Sequence, residues 1–471
     1  MRHILRPYLI TGIAILGAGV IAVPPALLSN VQAHAVRLAN DENVAFIVGG
    51  SGDPIPDQDY VDTNNSLYVQ PNFPGYDPQA LYTPEGNYAL YTGVKSLTLD
   101  KSEAQGVQIL DNAVRAHLDG NPANHVAVLG DSQSSTISSM VMPLLHDQGV
   151  SPDQLGFVLL ADPNQPNGGL FERLDGVTIP SLGITFNGAT PDDLYPTTIY
   201  LQAYDGFADV PRYPINFLSD LNSILGIQFI HPTYQGLTAN DWLPVDQGGK
   251  AVELPTVGDT MTTYWAIPTE NLPLLDVVRV IPVIGNPLAD FLQPILKPLV
   301  NLGYGDPDFG WSTAPANVPT EFGLFPSFGM TLKAFAESVE GIPKGIEAAI
   351  ADLGSMSPAA FALPDLSGLM HALAADPIST LTNIVNTLSG AFATAYSELL
   401  PTADVLTALA FTVPNYDFQW FLEGLEHLDL FSAIMRPIAN NTYLFSMAAG
   451  FEIFTLINTV ETIGQQLSSL F

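Results

Sequence analysis

His125-Val126-Ala127-Val128-Leu129-Gly130-Asp131-Ser132-Gln133-Ser134-Ser135 is the stretch on which the fold turns. Val126 to Leu129 are uninterrupted apolar residues, the pattern of a strand buried on both faces. Gly130-Asp131-Ser132-Gln133-Ser134 follows, and Gln133 to His146 reads as a helix. A serine between a buried strand and a helix, with small residues two positions either side, has the context of a nucleophile elbow. Such a turn strains the serine backbone, and the helix N-terminus favours negative charge developing beside it. The bare pattern G-x-S-x-[small] carries little information in a chain rich in Gly and Ser. Its alternative reading is a serine-rich helix start with Asp131 or Ser132 as N-cap.

Working outward, Val44 to Val48 forms a second apolar run, ended by Gly49-Gly50-Ser51-Gly52. The polar segment Asp53 to Asn87 reads as a long loop, and Ser102 to Leu118 as a helix with apolar residues at helical spacing. Gly156 to Ala161 and Thr198 to Ala203 are further buried strands. Strands alternating with helices predict an α/β protein of α/β-hydrolase fold, with a mostly parallel central sheet. Beyond Ala314 the pattern changes to apolar helical segments at Phe335–Leu353, Leu366–Leu373, Thr380–Leu399 and Leu444–Leu467, broken by Pro, Gly and Ser. Glu452 and Glu461 in the last segment argue against a transmembrane helix there. The expected division is therefore 1–35, a hydrolase domain over 36–314, and an amphipathic helical appendage over 315–471.

The first of these concerns location. Arg2, His3 and Arg6 precede an uncharged apolar run from Leu9 to Val23, then Pro24-Pro25 and the small residues Ala33 and Ala35. That order predicts a secretory signal peptide cleaved near Ala33 or Ala35, or else an N-terminal membrane anchor, and in either case export. The chain of 471 residues carries 47 acidic and 14 basic side chains, a formal charge of −33. A field of that sign repels phosphate backbones and excludes nucleic acid as a partner. Cysteine is absent, which removes disulfides, thiolate metal sites and a Cys nucleophile. The His and acidic residues show no metal-binding spacing, so neither metal nor cofactor is expected.

A nucleophilic serine needs a base and an orienting acid, in the order Ser, Asp or Glu, His for this fold. Tyr204-Asp205-Gly206-Phe207-Ala208-Asp209 follows the Thr198–Ala203 strand, at the end where open α/β sheets present their ligands. Asp209 is the expected acid, Asp205 its alternative because it can instead brace the turn through its own backbone, and Asp162 a third candidate. His231 follows Ile227 to Ile230, an apolar run read as β-like. Of the eight histidines, His3, His34, His117 and His125 precede the elbow and His146 ends the next helix. His371 and His427 lie in the appendage, which leaves His231 as the base. The expected oxyanion donors are the N–H of Gln133 and the Gly50-Ser51 loop, with the Ser51 hydroxyl as a further donor.

The elbow GDSQSS, the segment YDGFADVPRYPINFLSDLNSILG, the HPTY after it and the later NLGYGDPDFGW resemble the PE-PPE domain of mycobacteria and their relatives. The likeness runs from about Ala35 to about Ala314, and the YDGFADVPRYP segment is more specific than the elbow. It implies a serine hydrolase related to cutinases and lipases, with exported members acting as esterases or as acyltransferases on trehalose-type envelope glycolipids. It also implies a triad of Ser132, an Asp of the 205–209 loop, and His231. Ser134 stands where many hydrolases have Gly, and a signal-like segment stands where a PE or PPE domain is expected. The expected partners are a lipid or acyl-ester substrate and a membrane or the cell envelope. Ester hydrolysis leads the candidate functions, followed by acyl transfer to a sugar hydroxyl and by non-catalytic lipid binding in the envelope.

Overall fold

The computed structural model describes residues 43–88, 92–93, 95–121, 123–281, 284–355 and 376–468. The export segment expected over 1–35 and the helix expected at Leu366–Leu373 lie outside the described residues. Seven strands form one sheet in the order β2-β1-β3-β4-β7-β9-β8. They are β1 (Asn43–Val48), β2 (Asp77–Leu81), β3 (His125–Asp131), β4 (Leu155–Leu160), β7 (Thr197–Gln202), β8 (Val252–Glu253) and β9 (Thr262–Ile267). Every pairing is parallel except that of β8 with β9. A small hairpin, β5 (Thr178–Ile179) with β6 (Ile184–Thr185), stands apart from the sheet.

The apolar runs become central strands because each feeds two cores at once. Val126 and Val128 of β3 pack on one face with Val107, Leu110 and Val114 of helix α1 (Leu99–Leu118) and Ile137, Val141 and Leu145 of helix α2 (Gln133–Asp147). Ala127 and Leu129 point to the other face, against Tyr68, Val69 and Tyr234. Alternation in a strand covered on both sides produces this split, and it explains why the sequence shows no polar face. The parallel sheet, the elbow at the carboxyl end of β3 and the helical segments on both faces make the α/β-hydrolase arrangement.

Two expectations change. The segment 53–87 is not one loop: it holds a helix at Gln58–Asn64, a π-helical turn at Asn65–Val69 and the edge strand β2. Its polar residues mislead because they lie on half-exposed elements, while Val61, Tyr68 and Val69 supply the buried anchors. The run Ile227–Ile230 is not β-like either; it closes helix α3 (Phe217–Phe229), after which His231 begins a 3₁₀ turn to Gly236. Strand β9, TTYWAI, went unread because its two leading threonines and its Tyr and Trp disguise a buried run.

The C-terminal helices fall in the same compact unit as the sheet, residues 42–471. After α4 (Gly285–Asn301) come α5 (Phe328–Ser355), α6 (Pro377–Ser397), α7 (Leu399–Thr407), α8 (Val413–Glu426) and α9 (Leu430–Ser468). Ala408, Val413, Trp420, Tyr443 and Leu444 share one buried cluster with Leu99, Leu170, Phe171 and Phe186. By length and composition α9 is apolar enough to cross a membrane. It nevertheless packs on α3, where Ser446 Oγ donates to the buried Asp220 at 3.1 Å.

Helix α3 in turn reaches the loop after β7 through a glycine. A Cβ added at Gly226 would overlap the carbonyl oxygen of Tyr204. Gly226→Ala is expected to cost about 1–3 kcal/mol, the range for overpacking a well-filled core. Gly329→Ala, whose added Cβ meets nothing within 4 Å, is expected to leave stability unchanged or slightly raised. Urea unfolding of the two variants checks the contrast; equal effects would refute the close-approach argument.

Candidate active site

Ser132 sits between β3 and α2 with φ 57° and ψ −114°, a region that non-glycine residues rarely occupy. The turn is tight enough that a Cβ on Gly130 would lie 2.7 Å from the Ser134 carbonyl oxygen. Ser134 is small because its hydroxyl belongs inside the turn: it accepts from the Asp131 N–H at 2.7 Å. The Ser132 N–H donates to the Leu160 carbonyl at 2.9 Å, tying the elbow to the end of β4. Ala161 (φ 51°) and Tyr204 (φ 70°) follow β4 and β7 with the same unusual sign. Backbone strain thus gathers at the carboxyl ends of three neighbouring strands.

Three of the expected side chains meet at this edge. Ser132 Oγ lies 2.7 Å from His231 Nε2. His231 Nδ1 lies 2.9 and 3.0 Å from the two carboxylate oxygens of Asp205. A carboxylate can only accept, so Nδ1 carries the proton and Nε2 is left to accept from the serine hydroxyl. Burial by itself would push the imidazole pKa down, but the Asp205 carboxylate, aided by Asp131, outweighs it and holds His231 above the ordinary histidine value.

The carboxylate that meets His231 belongs to Asp205 and not to Asp209, the residue expected from the sequence. Asp205 both braces its turn and reaches the imidazole. It accepts from the N–H groups of Phe207 at 2.9 Å and Ala208 at 3.4 Å, and from the Tyr234 hydroxyl at 2.9 Å. Asp209 points away: its carboxylate accepts from the Tyr204 N–H at 2.8 Å, and its own N–H donates to the Asp205 carbonyl at 2.7 Å. Burial pushes the Asp209 carboxyl well up from its ordinary value, against the opposing Tyr204 N–H. Asp209 fastens the loop that presents Asp205. Asp162 is engaged elsewhere, by the Thr190 hydroxyl at 2.6 Å and the Asn164 N–H at 3.0 Å.

The expected oxyanion donors also come together. Gln133 is the first residue of α2, so its N–H has no acceptor within the helix. Gly50 packs on the elbow, where a Cβ would stand 3.3 Å from the Asp131 carbonyl oxygen and 3.5 Å from Ser132 Cβ. Ser51 differs from expectation. Its hydroxyl accepts from Asn87 Nδ2 at 3.1 Å and donates to Gln133 Oε1 at 2.8 Å, so its proton is already committed. The Gln133 amide continues to Ser102 Oγ at 2.6 Å, which also takes the Gly86 N–H at 2.8 Å. Ser51 is a brace that ties the glycine loop to the elbow.

Sequence reasoning missed several members of this shell. Tyr234 lies three residues after His231, and its hydroxyl touches Asp205 while accepting from the Gln202 N–H at 2.8 Å. Tyr68 donates to the Tyr234 carbonyl at 2.7 Å. Asp131 accepts from Tyr60 and Gln235, each at 2.8 Å. The signal in the sequence was the clustering of HPTY and GDS; Tyr60 and Tyr68 come from the segment read as a loop, Tyr234 and Gln235 from the turn after His231.

Known proteins resemble this chain over most of its length. The PE-PPE domain profile matches residues 74–305. A PPE family protein of Mycobacterium tuberculosis, PPE28, is 42% identical over 462 residues, covering 93% of this chain and 69% of its own length. Esterase PE16 of the same organism is 42% identical over 310 residues, and the match covers 65% of this chain and 56% of that protein. Diacyltrehalose acyltransferase Chp2, also from Mycobacterium tuberculosis, is 27% identical over 61% of this chain and 81% of its own length. A strained serine elbow, a histidine beside it and relatives of this kind lead to one assignment: the chain belongs to the PE-PPE domain family.

Proposed function

We propose that this protein is an exported serine esterase that hydrolyses acyl esters of lipid-like substrates through Ser132, His231 and Asp205. The observation that carries the reading is the continuous line from Ser132 Oγ to His231 Nε2 and from Nδ1 to Asp205. His231 takes the Ser132 proton as Oγ attacks the ester carbonyl. The N–H of Gln133 and the Gly50-Ser51 loop face the oxygen on which charge develops. His231 then protonates the departing alcohol, leaving an acyl-serine. Water, deprotonated by the same imidazole, attacks the acyl-serine and releases the carboxylic acid and free Ser132. Export rests on the basic and apolar order of residues 2–35.

The same half-reaction serves a second outcome, transfer of the acyl group to a sugar hydroxyl. The acyltransferase among the relatives favours it, and the difference lies in whether water or an acceptor reaches the acyl-serine. A purified enzyme that turns over only with a trehalose-type acceptor would replace hydrolysis by transfer.

A fluorophosphonate probe is expected to label the wild type and not Ser132→Ala; labelling of neither would favour a non-catalytic lipid-binding protein. Asp205→Asn is expected to lower kcat by about 10⁴-fold, the scale for losing the acid that orients a catalytic histidine. Asp209→Asn should cost less activity and more stability, because it removes a loop fastening. The reverse order of effects would restore Asp209 as the acid.

The pH dependence has a defined sign. The base must be neutral, so activity is lost as pH falls through the His231 pKa. Because Asp205 raises that pKa, the acid limb of kcat/KM in the wild type should lie above pH 6.5, the ordinary histidine value. In Asp205→Asn burial acts without the carboxylate, and the limb should move down. A pH–rate profile with an unmoved limb would refute the coupling.

A further inference from the structure

The C-terminal helices, which lie beyond the family-matched residues 74–305, form one wall of an apolar cavity. Leu444, Met447 and Phe451 of α9 line one side; Leu182 and Ile184 of the β5–β6 hairpin and Phe207 line another. The three residues of α9 recur at i, i+3 and i+7, so a single helix face is given to the cavity. Among the described residues no charged side chain lines it, and the Tyr88 hydroxyl at its edge donates to Asp404 of α7.

The cavity adjoins the reactive residues at two points. Phe207 stands edge-on to the His231 ring, with centroids 4.7 Å apart. Asn87, which also lines it, is the residue that bonds Ser51 beside the elbow. An ester offers two ends, an acyl chain and an alcohol. A sugar alcohol placed here would bury hydroxyls without partners. A methylene chain gains instead, roughly fourfold in affinity for each CH₂ taken from water. The cavity volume is about 100 Å³; one water needs roughly 10–15 Å³ on that measure, so the space exceeds what an acetyl group requires.

We propose that this cavity holds the acyl chain of the substrate ester, so that α9 and the β5–β6 hairpin set the preferred chain length. The proposal rests on Ser132 as the nucleophile. The acyl carbonyl sits at Ser132, its chain runs past Phe207 between the hairpin and α9, and the alcohol leaves on the opposite, solvent side.

The test fills the cavity from each wall, with Met447→Trp and Leu182→Trp. The ratio of kcat/KM for p-nitrophenyl octanoate to that for p-nitrophenyl acetate is expected to fall at least about tenfold in each variant. An unchanged ratio in both folded variants would overturn the proposal. Binding is read separately with cis-parinaric acid, a fluorescent fatty acid, on Ser132→Ala protein. Saturable one-to-one binding is expected, weakened about tenfold by adding Met447→Trp. Absence of binding overturns the proposal whether or not the tryptophan variants fold. Loss of all Ser132-dependent esterase activity would instead strike the nucleophile assignment, and the fatty-acid titration would still decide the cavity.

Discussion

Ser132 is held in a backbone conformation that costs of order 1–3 kcal/mol, and the surrounding structure is organised to keep it there. The Ser132 N–H is fixed by the end of β4, the Asp131 N–H by the Ser134 hydroxyl, and the missing side chain of Gly130 lets the first turn of α2 close over β3. Those fastenings exist only because β1, β3 and β4 run parallel and end at one edge. The sheet registers Ile47, Leu129 and Val158 side by side, and the elbow with the Ser132 hydroxyl follows at that edge. A β-sheet with the same composition but antiparallel neighbours would scatter these ends between two edges.

The second organising element is a buried carboxylate with every lone pair in use. Asp205 is fully buried, yet it collects the imidazole, a phenol and two backbone N–H groups. Removing a charge from water is costly unless such donors replace the lost hydration. Those donors hold the Asp205 carboxylate in place beside the imidazole. Asp209, four residues on and equally enclosed, has far fewer donors, and burial drives its carboxyl upward. Two aspartates in one loop therefore differ through their partners, not through their depth.

The sheet was legible wherever a strand is buried on both faces, as at Val126–Leu129, because such strands leave an apolar run. It was illegible at β2 and β9, where edge position or Thr, Tyr and Trp break that run. That Ser132 and His231 would meet could be read from order and context. The choice between Asp205 and Asp209 could not, because it depends on which carboxylate the Tyr234 hydroxyl and the turn N–H groups reach. Local sequence suggested that Asp205 would either brace its turn or orient the histidine; the folded loop does both with one carboxylate. Ser51 and Asn87 were hidden for a related reason, since their partners lie 82 and 36 residues away in the chain.

The bond between Tyr88 and Asp404 joins positions 316 residues apart. At synthesis rates of about 5–20 residues per second, the ribosome delivers the second partner roughly 15–60 s after the first. Once made, the apolar surfaces of Leu99, Leu170, Phe171 and Phe186 wait for the C-terminal helices to cover them. The catalytic sheet is complete in sequence long before its hydrophobic flank can be closed. The nascent chain therefore exposes this apolar flank until its last helices follow, and exposed apolar surface of that kind invites chaperone capture.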